Sequence, residues 1–253
     1  MTLKDMKRLG DWEYALGVNF MNQHLSHMAI TGTRKFDYPP VFTSLSPWWK
    51  DYGELNDYFA RLSLVLSQGR QENGWLILEP TTSLWLHYTN VSGGKPLWDI
   101  ANNFQALLGA LERGQMEYDL GCEDIMADCG SVGRKCLNVG QARYHTVVLP
   151  AKTENLESRT FQLLRDFASS GGRIIALGLP DYVDGEESAE LRAFMQSDAV
   201  IKMQKPQEIL SLYRQETDLL VQCPENSHVY HYRCRYEDGQ LLFLANSSLT
   251  DET

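Results

Sequence analysis

The stretch "GWLILEP", residues 74–80, decides the architecture. Four apolar residues in a row, Trp75 to Leu78, stand between a glycine and a Glu-Pro stop. A half-exposed strand alternates apolar and polar residues, whereas a strand buried on both faces reads as a short continuous apolar run. The same signature recurs in "YHTVVLP" (144–150) and "RIIALGLP" (173–180), and more weakly in "MEYDL" (116–120). Amphipathic helices are predicted between them, "LWDIANNFQALLGALERG" (97–114) and "ESRTFQLLRDFASSGG" (157–172). Short apolar strands alternating with helices predict an α/β fold with a parallel sheet covered on both faces.

Such a layer often holds a cofactor, and the sequence can be tested for it. A dinucleotide site needs G-x-G-x-x-G after its first strand, and "TTSLWLHYTN" follows instead. A Thr/Ser phosphate loop for a flavin is conceivable there, but it lacks glycine and contains Trp85. A nucleophile elbow needs Ser or Cys on a glycine-flanked turn, and "VVLPAKTENL" offers neither. The layer is therefore expected to be structural and to need no cofactor. Asp119, Glu123 and Asp124 are read as a solvated loop and helix start, and His145 as a strand-edge residue.

The flanks differ. Leu3, Met6, Leu9, Trp12 and Leu16 fall at helical spacing, with Gly17 as a stop. "VNFMN" (18–22) reads as a short strand. A second helix follows at 51–68, with Leu55, Tyr58, Phe59, Leu62 and Leu66 on one face and Gly69 as its end. Between them lies "HLSHMAITGTRKFDYPPVFTSLSPWWKDY" (24–52), an irregular run rich in rings and charges. Loops of that length in compact domains are usually functional. At the other end, "HVYHYRCRYEDGQLLFLANSS" alternates, turns at Asp238-Gly239 and alternates again, which predicts a β-hairpin.

A net charge of −10 argues against nucleic acid and against an anionic membrane as partners. A neutral ligand fits better. No apolar run reaches transmembrane length, and residues 1–20 lack the apolar core of a signal peptide, so a cytoplasmic location is expected. Five cysteines without a C-x-x-C pair predict reduced thiols and no metal site. His228 and His231 alternate in the hairpin with no third ligand nearby.

The loop's residue types suit a carbohydrate. Indole and phenol rings such as Trp48, Trp49 and Tyr38 can stack on the C–H faces of a sugar. His24, Arg34 and Asp37 can hydrogen-bond its hydroxyls. The bland reading is that the tryptophans pack the loop down while Arg34 and Asp37 pair locally.

Residues 17–69 resemble the last barrel unit of bacterial glycoside hydrolases of the α-L-rhamnosidase-like type (glycoside hydrolase family 106). The shared elements are G-V-N with a following histidine, R-K-x-D-x-P-P, P-W-W, and D-Y-x-A-R-L-S with L-S-x-G. "EYDLGCEDIM", "VGQARYHTVVLP" and "LLRDFASSGGRIIALG" resemble the amidotransferase-like layer that follows such barrels. The resemblance implies three parts: 1–72 as the C-terminal segment of a (β/α)8 barrel, 73–225 as a flavodoxin-like or amidotransferase-like layer, and 226–253 as the start of a β-sandwich. It implies hydrolysis of a glycan, with His24, Arg34, Asp37, Trp48 and Trp49 binding substrate. The catalytic carboxylates are expected on earlier barrel strands, outside this chain. Helix faces left uncovered would pack on the layer, stay exposed, or pair with a second copy as a homo-oligomer. The alternatives are a non-catalytic carbohydrate-binding or structural protein and a flavodoxin-like cofactor binder.

Overall fold

The computed structural model describes residues 2–24, 26–36, 38, 41–90, 94–224 and 227–249. The chain divides into two compact units, 72–222 and 1–71 together with 223–253.

The unit 72–222 is built on a five-stranded parallel sheet. Its strands are β1 (Trp75–Leu78), β2 (Asp119–Gly121), β3 (Thr146–Leu149), β4 (Arg173–Ala176) and β5 (Val200–Lys202). Their order across the sheet is β5-β4-β3-β1-β2. Leu76 pairs with Val147, Val147 with Ile174 and Ile174 with Val200, so the apolar runs lie in register. The three runs singled out in the sequence are the three central strands.

Alternate residues of each run feed opposite sides. Leu76, Leu78, Val147, Leu149 and Ile174 join one core, with Phe161, Leu164 and Phe167 of a helix over Ser158–Ser169 and Leu191 and Met195 of another over Ala189–Gln196. Trp75, Ile77, Val148 and Ile175 join a second core, with Leu107 and Leu111 of a helix over Lys95–Arg113 and Ile209 and Tyr213 of one over Pro206–Glu216. Burying each such side chain stabilises by roughly 1.5–3 kcal/mol, so a polar substitution on either face is expected to destabilise the layer. An antiparallel three-stranded sheet over Gly130–Gly133, Cys136–Val139 and Ala142–Tyr144 decorates the layer.

The other unit packs two helices and a hairpin. Helix α1 (Leu3–Ala15) begins with a capping box between Thr2 and Asp5. It closes as predicted at Gly17, whose φ of +101° suits glycine. The Val18 N–H donates to the Glu13 carbonyl and the Gly17 N–H to the Tyr14 carbonyl, a Schellman ending. Helix α2 (Tyr52–Gln68) lies against α1 through Tyr14 and Phe59, stacked with centroids 5.7 Å apart. Lys7, Asp11 and Tyr58 tie the two helices on the surface; the Tyr58 hydroxyl donates to Asp11 at 2.6 Å.

The hairpin pairs Val229–Arg235 with Gln240–Asn246 and turns through 236–239, as its alternation predicts. Tyr232 and Cys234 point into the same core as Tyr14, Tyr52 and Phe59. At the end of α2 a β-carbon on Gly69 would stand 2.5 Å from the Cys234 sulfur. The missing side chain lets Arg70 exchange two backbone hydrogen bonds with Arg235, at 2.9 and 2.8 Å.

One expectation fails here. Residues 18–22 take no strand conformation. A strand needs a neighbour to exchange hydrogen bonds with, and Val18 instead turns its N–H back to the end of α1.

Candidate functional site

Parallel sheets bind ligands beyond the carboxyl ends of their strands, where the strand order reverses. In this sheet that place lies between β1 and β3. Here it is filled by the chain itself. Residues 81–87, for which the sequence pattern predicted no helix, form one directly after β1. The Thr82 hydroxyl donates to Glu123 Oε1 at 2.7 Å, and the Glu157 N–H donates to Glu123 Oε2 at 2.8 Å. The Ser83 hydroxyl oxygen accepts the N–H groups of Glu154 and Asn155 at 2.9 and 3.0 Å.

These contacts decide the chemistry. Ser83, His87 and Glu154 are the residue types of a nucleophilic triad, but Ser83 is wholly buried with its oxygen occupied by two donors. The imidazole of His87 bonds Glu154 instead, at 2.7 Å. The hydroxyls of Thr82 and Ser83, two of the three in the run after β1, are thus engaged within the protein. Glu123 corrects the reading of a solvated acidic cluster: it begins a helix (Glu123–Cys129) as expected, but is only 4% exposed. Burial pushes its carboxyl above the usual range, against the opposing pull of its hydrogen bonds. Asp119 is likewise engaged, accepting from Asn73 at 2.6 Å and from the Tyr144 hydroxyl at 2.8 Å.

The loop between α1 and α2 contains the residues expected to bind substrate. Trp48 and Trp49 both come to rest on Tyr52, with centroids 6.0 and 5.8 Å away; Phe42 stacks on the same ring at 5.9 Å. Tyr52 is buried, so the aromatic cluster anchors the loop to the first turn of α2. Trp48 packs against the core, while Trp49 lies nearly parallel to Tyr52 at 14° and is 44% exposed. His24 is exposed and meets the Tyr38 ring edge-on at 4.9 Å. Arg34 lies in a single 3-10 turn over Gly32–Lys35 and donates to the Thr31 hydroxyl at 3.0 Å. Asp37 lies outside the described residues. The loop thus brings the two tryptophans together around Tyr52, and His24 to Tyr38.

Among the described residues no group of three or more His, Cys, Asp or Glu side chains is arranged to hold a metal, and no helix is long and apolar enough to cross a membrane.

The fold is thus a mixed α/β arrangement around a five-stranded parallel sheet. It is similar to that of a rhamnosidase from Novosphingobium sp. PP1Y, with a TM-score of 0.61 and 20% sequence identity. The likeness covers 97% of this chain and 24% of that one, so the chain spans about a quarter of that protein's length. Neither the models of known protein families nor the sequences of curated proteins give a match.

Proposed function

We propose that the chain is a portion of a glycoside hydrolase acting on a glycan, with α-L-rhamnosides the favoured substrates. In this reading residues 1–72 belong to the end of a (β/α)8 barrel, 73–225 form a flavodoxin-like, amidotransferase-like layer that serves as structure, and 226–253 begin a β-sandwich. The 2-1-3-4-5 strand order supports the flavodoxin-like part, and the filled switch point supports its structural role. Likeness in fold to a rhamnosidase along nearly the whole chain supports the parentage.

The observation that carries the binding role is Trp49. Its ring is backed by Tyr52 and nearly half exposed, which leaves an indole surface for the C–H face of a sugar. In this reading Trp48 holds Trp49 and the loop in place, while His24, Arg34 and Asp37 hydrogen-bond the sugar. None of these five acts as the paired acid and nucleophile that glycoside hydrolysis requires.

Two measurements test the reading. The purified chain is expected to show no turnover of aryl α-L-rhamnosides or β-galactosides, with or without calcium. Turnover above the buffer blank that Asp37→Asn abolishes would place the catalytic machinery in this chain and overturn the assignment. Trp49→Ala in a protein that hydrolyses rhamnosides and contains this chain is expected to weaken substrate binding by about 1 kcal/mol, the scale of one aromatic contact. Saturable binding of rhamnose by the chain, with no hydrolysis in any longer form, would favour a non-catalytic carbohydrate-binding protein.

A further inference from the structure

The hairpin has two edges. On one, Arg235 exchanges backbone hydrogen bonds with Arg70. The other belongs to the strand Gln240–Asn246, and among the described residues no further strand pairs with it. Which backbone groups lie on that edge follows from the ladder. The Ser247 N–H donates to the His228 carbonyl and the Tyr236 N–H to the Gly239 carbonyl, both at 2.8 Å. Opposed residues of an antiparallel pair alternate between bonded and non-bonded. Leu241, Phe243 and Ala245 therefore bond the neighbouring strand, opposite Cys234, Tyr232 and Tyr230. Leu242 and Leu244 turn their N–H and C=O groups outward.

Such an edge is a template for another strand, and proteins blunt it with charge, proline or a bulge. Here all three are missing. The run QLLFLAN holds no charged residue and no proline, and its pairing with Val229–Arg235 runs without a bulge. Leu241, Phe243 and Ala245 face the core, whereas Leu242 and Leu244 stand on the other face, 44% and 53% exposed. The residues with outward backbone groups are thus Gln240, Leu242, Leu244 and Asn246, two leucines between two carboxamides. That order is the same in chemical kind from either end. Run antiparallel against its own copy about an axis at Phe243, the strand sets Leu242 against Leu244 and Gln240 against Asn246.

Charge fits the same partner. Two copies with a net charge of −10 repel in general, but this strand brings no charge to the contact. The same register carries Glu237 and Asp238 of each turn toward residues 247–249 of the other copy. Arg8 lies at that end, donating to the Ser247 carbonyl at 2.9 Å. Acid therefore approaches base at both ends of the contact.

We propose that Gln240–Asn246 pairs antiparallel with the same strand of a second copy, joining two hairpins into one four-stranded sheet across an isologous two-fold interface. The backbone groups of Leu242 and Leu244 supply its central hydrogen bonds. The four leucines form one apolar patch, flanked by Arg233 and His231 of each copy. The pairing uses the hairpin alone, so it stands or falls independently of the glycosidase reading.

The test is sedimentation velocity of the whole chain from about 1 to 200 μM. A single strand pair is a small interface, so a reversible dimer with a dissociation constant of about 1–100 μM is expected. Its limiting mass is twice 28.9 kDa. Leu244→Lys places like charges along the contact and is expected to weaken dimerisation at least about tenfold. Leu244→Pro deletes an outward N–H that the hairpin does not use, and is expected to act alike. Leu64→Lys, on the exposed face of α2, is expected to leave the dimer unchanged. In hydrogen exchange the Leu242 and Leu244 amides are expected to be slow at the high concentration and fast at the low one, with Phe243 slow at both. A monomer throughout, growth beyond the dimer, or a dimer that Leu64→Lys dissociates and a folded Leu244→Lys protein retains would each overturn the proposal.

Discussion

The Thr82 hydroxyl donates to the Glu123 carboxylate at 2.7 Å in a place from which water is excluded. The other carboxylate oxygen accepts the Glu157 N–H, one residue before the helix over Ser158–Ser169. Glu123 therefore joins three segments that follow three different strands. Glu123→Ala leaves the Glu157 N–H without its acceptor and the Thr82 hydroxyl with only a long bond to the Asn155 carbonyl, at 3.4 Å, and is expected to cost about 1–3 kcal/mol in urea denaturation.

The same residue makes a pH-dependent contribution whose sign is fixed by the direction of its shift. Its carboxyl is raised above the ordinary 4.5 by burial, so the unfolded chain gives up this proton at lower pH than the folded one. The contribution to stability is fully present below the ordinary value and is lost as pH rises through the raised one. Glu123→Gln removes that dependence. The stability of the natural chain relative to Glu123→Gln is expected to fall as pH rises from about 4.5, and denaturation series at several pH values would show it. A difference that grows with pH would mean that the carboxylate form is the favoured one.

Gly69 is expected to be intolerant for a reason of space. A β-carbon there would meet the Cys234 sulfur at 2.5 Å and its β-carbon at 2.8 Å. Cys234 lies in a strand and is 1% exposed, so it has little room to retreat. Gly69→Ala is expected to destabilise by about 1–3 kcal/mol. Hydrogen exchange at the Arg70 and Arg235 amides should accelerate with it.

Tyr52 should matter more to folding than the tryptophans that rest on it. It is buried, with Phe42, Trp48 and Trp49 around its ring. Tyr52→Ala is expected to cost about 3–5 kcal/mol and to release the loop to proteolysis, while Trp49→Ala costs about 1 kcal/mol or less. Equal losses in a melting experiment would make Trp49 a packing residue and weaken its proposed role with sugar.

The sequence made the parallel layer legible because its central strands are buried on both faces and so carry an unbroken apolar run. It hid the helix after β1 because that helix is turned around. Thr82 and Ser83 face inward onto protein partners, while Trp85 is 62% exposed, the reverse of the pattern that hydrophobic periodicity detects. Glu123 was misread for the same reason, since nothing local reveals that Thr82 and Glu157 will meet it. The strand expected at 18–22 had suitable composition but no partner, and pairing is a property of two segments. In the loop, ring-rich composition pointed to the aromatic cluster, yet the division of labour between Trp48 and Trp49 depends on Tyr52, which the sequence assigns only to the start of a helix.

The unit formed by 1–71 and 223–253 is interrupted by a complete second unit. During synthesis α1 and α2 leave the ribosome without the hairpin that completes their core. At about 5–20 residues per second, the interval between residue 71 and residue 246 is roughly 10 to 35 seconds. The inserted layer, whose segments are contiguous, can finish folding within that interval. The helices, with Tyr14 and Phe59 uncovered, are then the part of the nascent chain that chaperones are placed to hold, and a ribosome stalled late in the insertion would release a largely folded layer tethered to an unfinished unit.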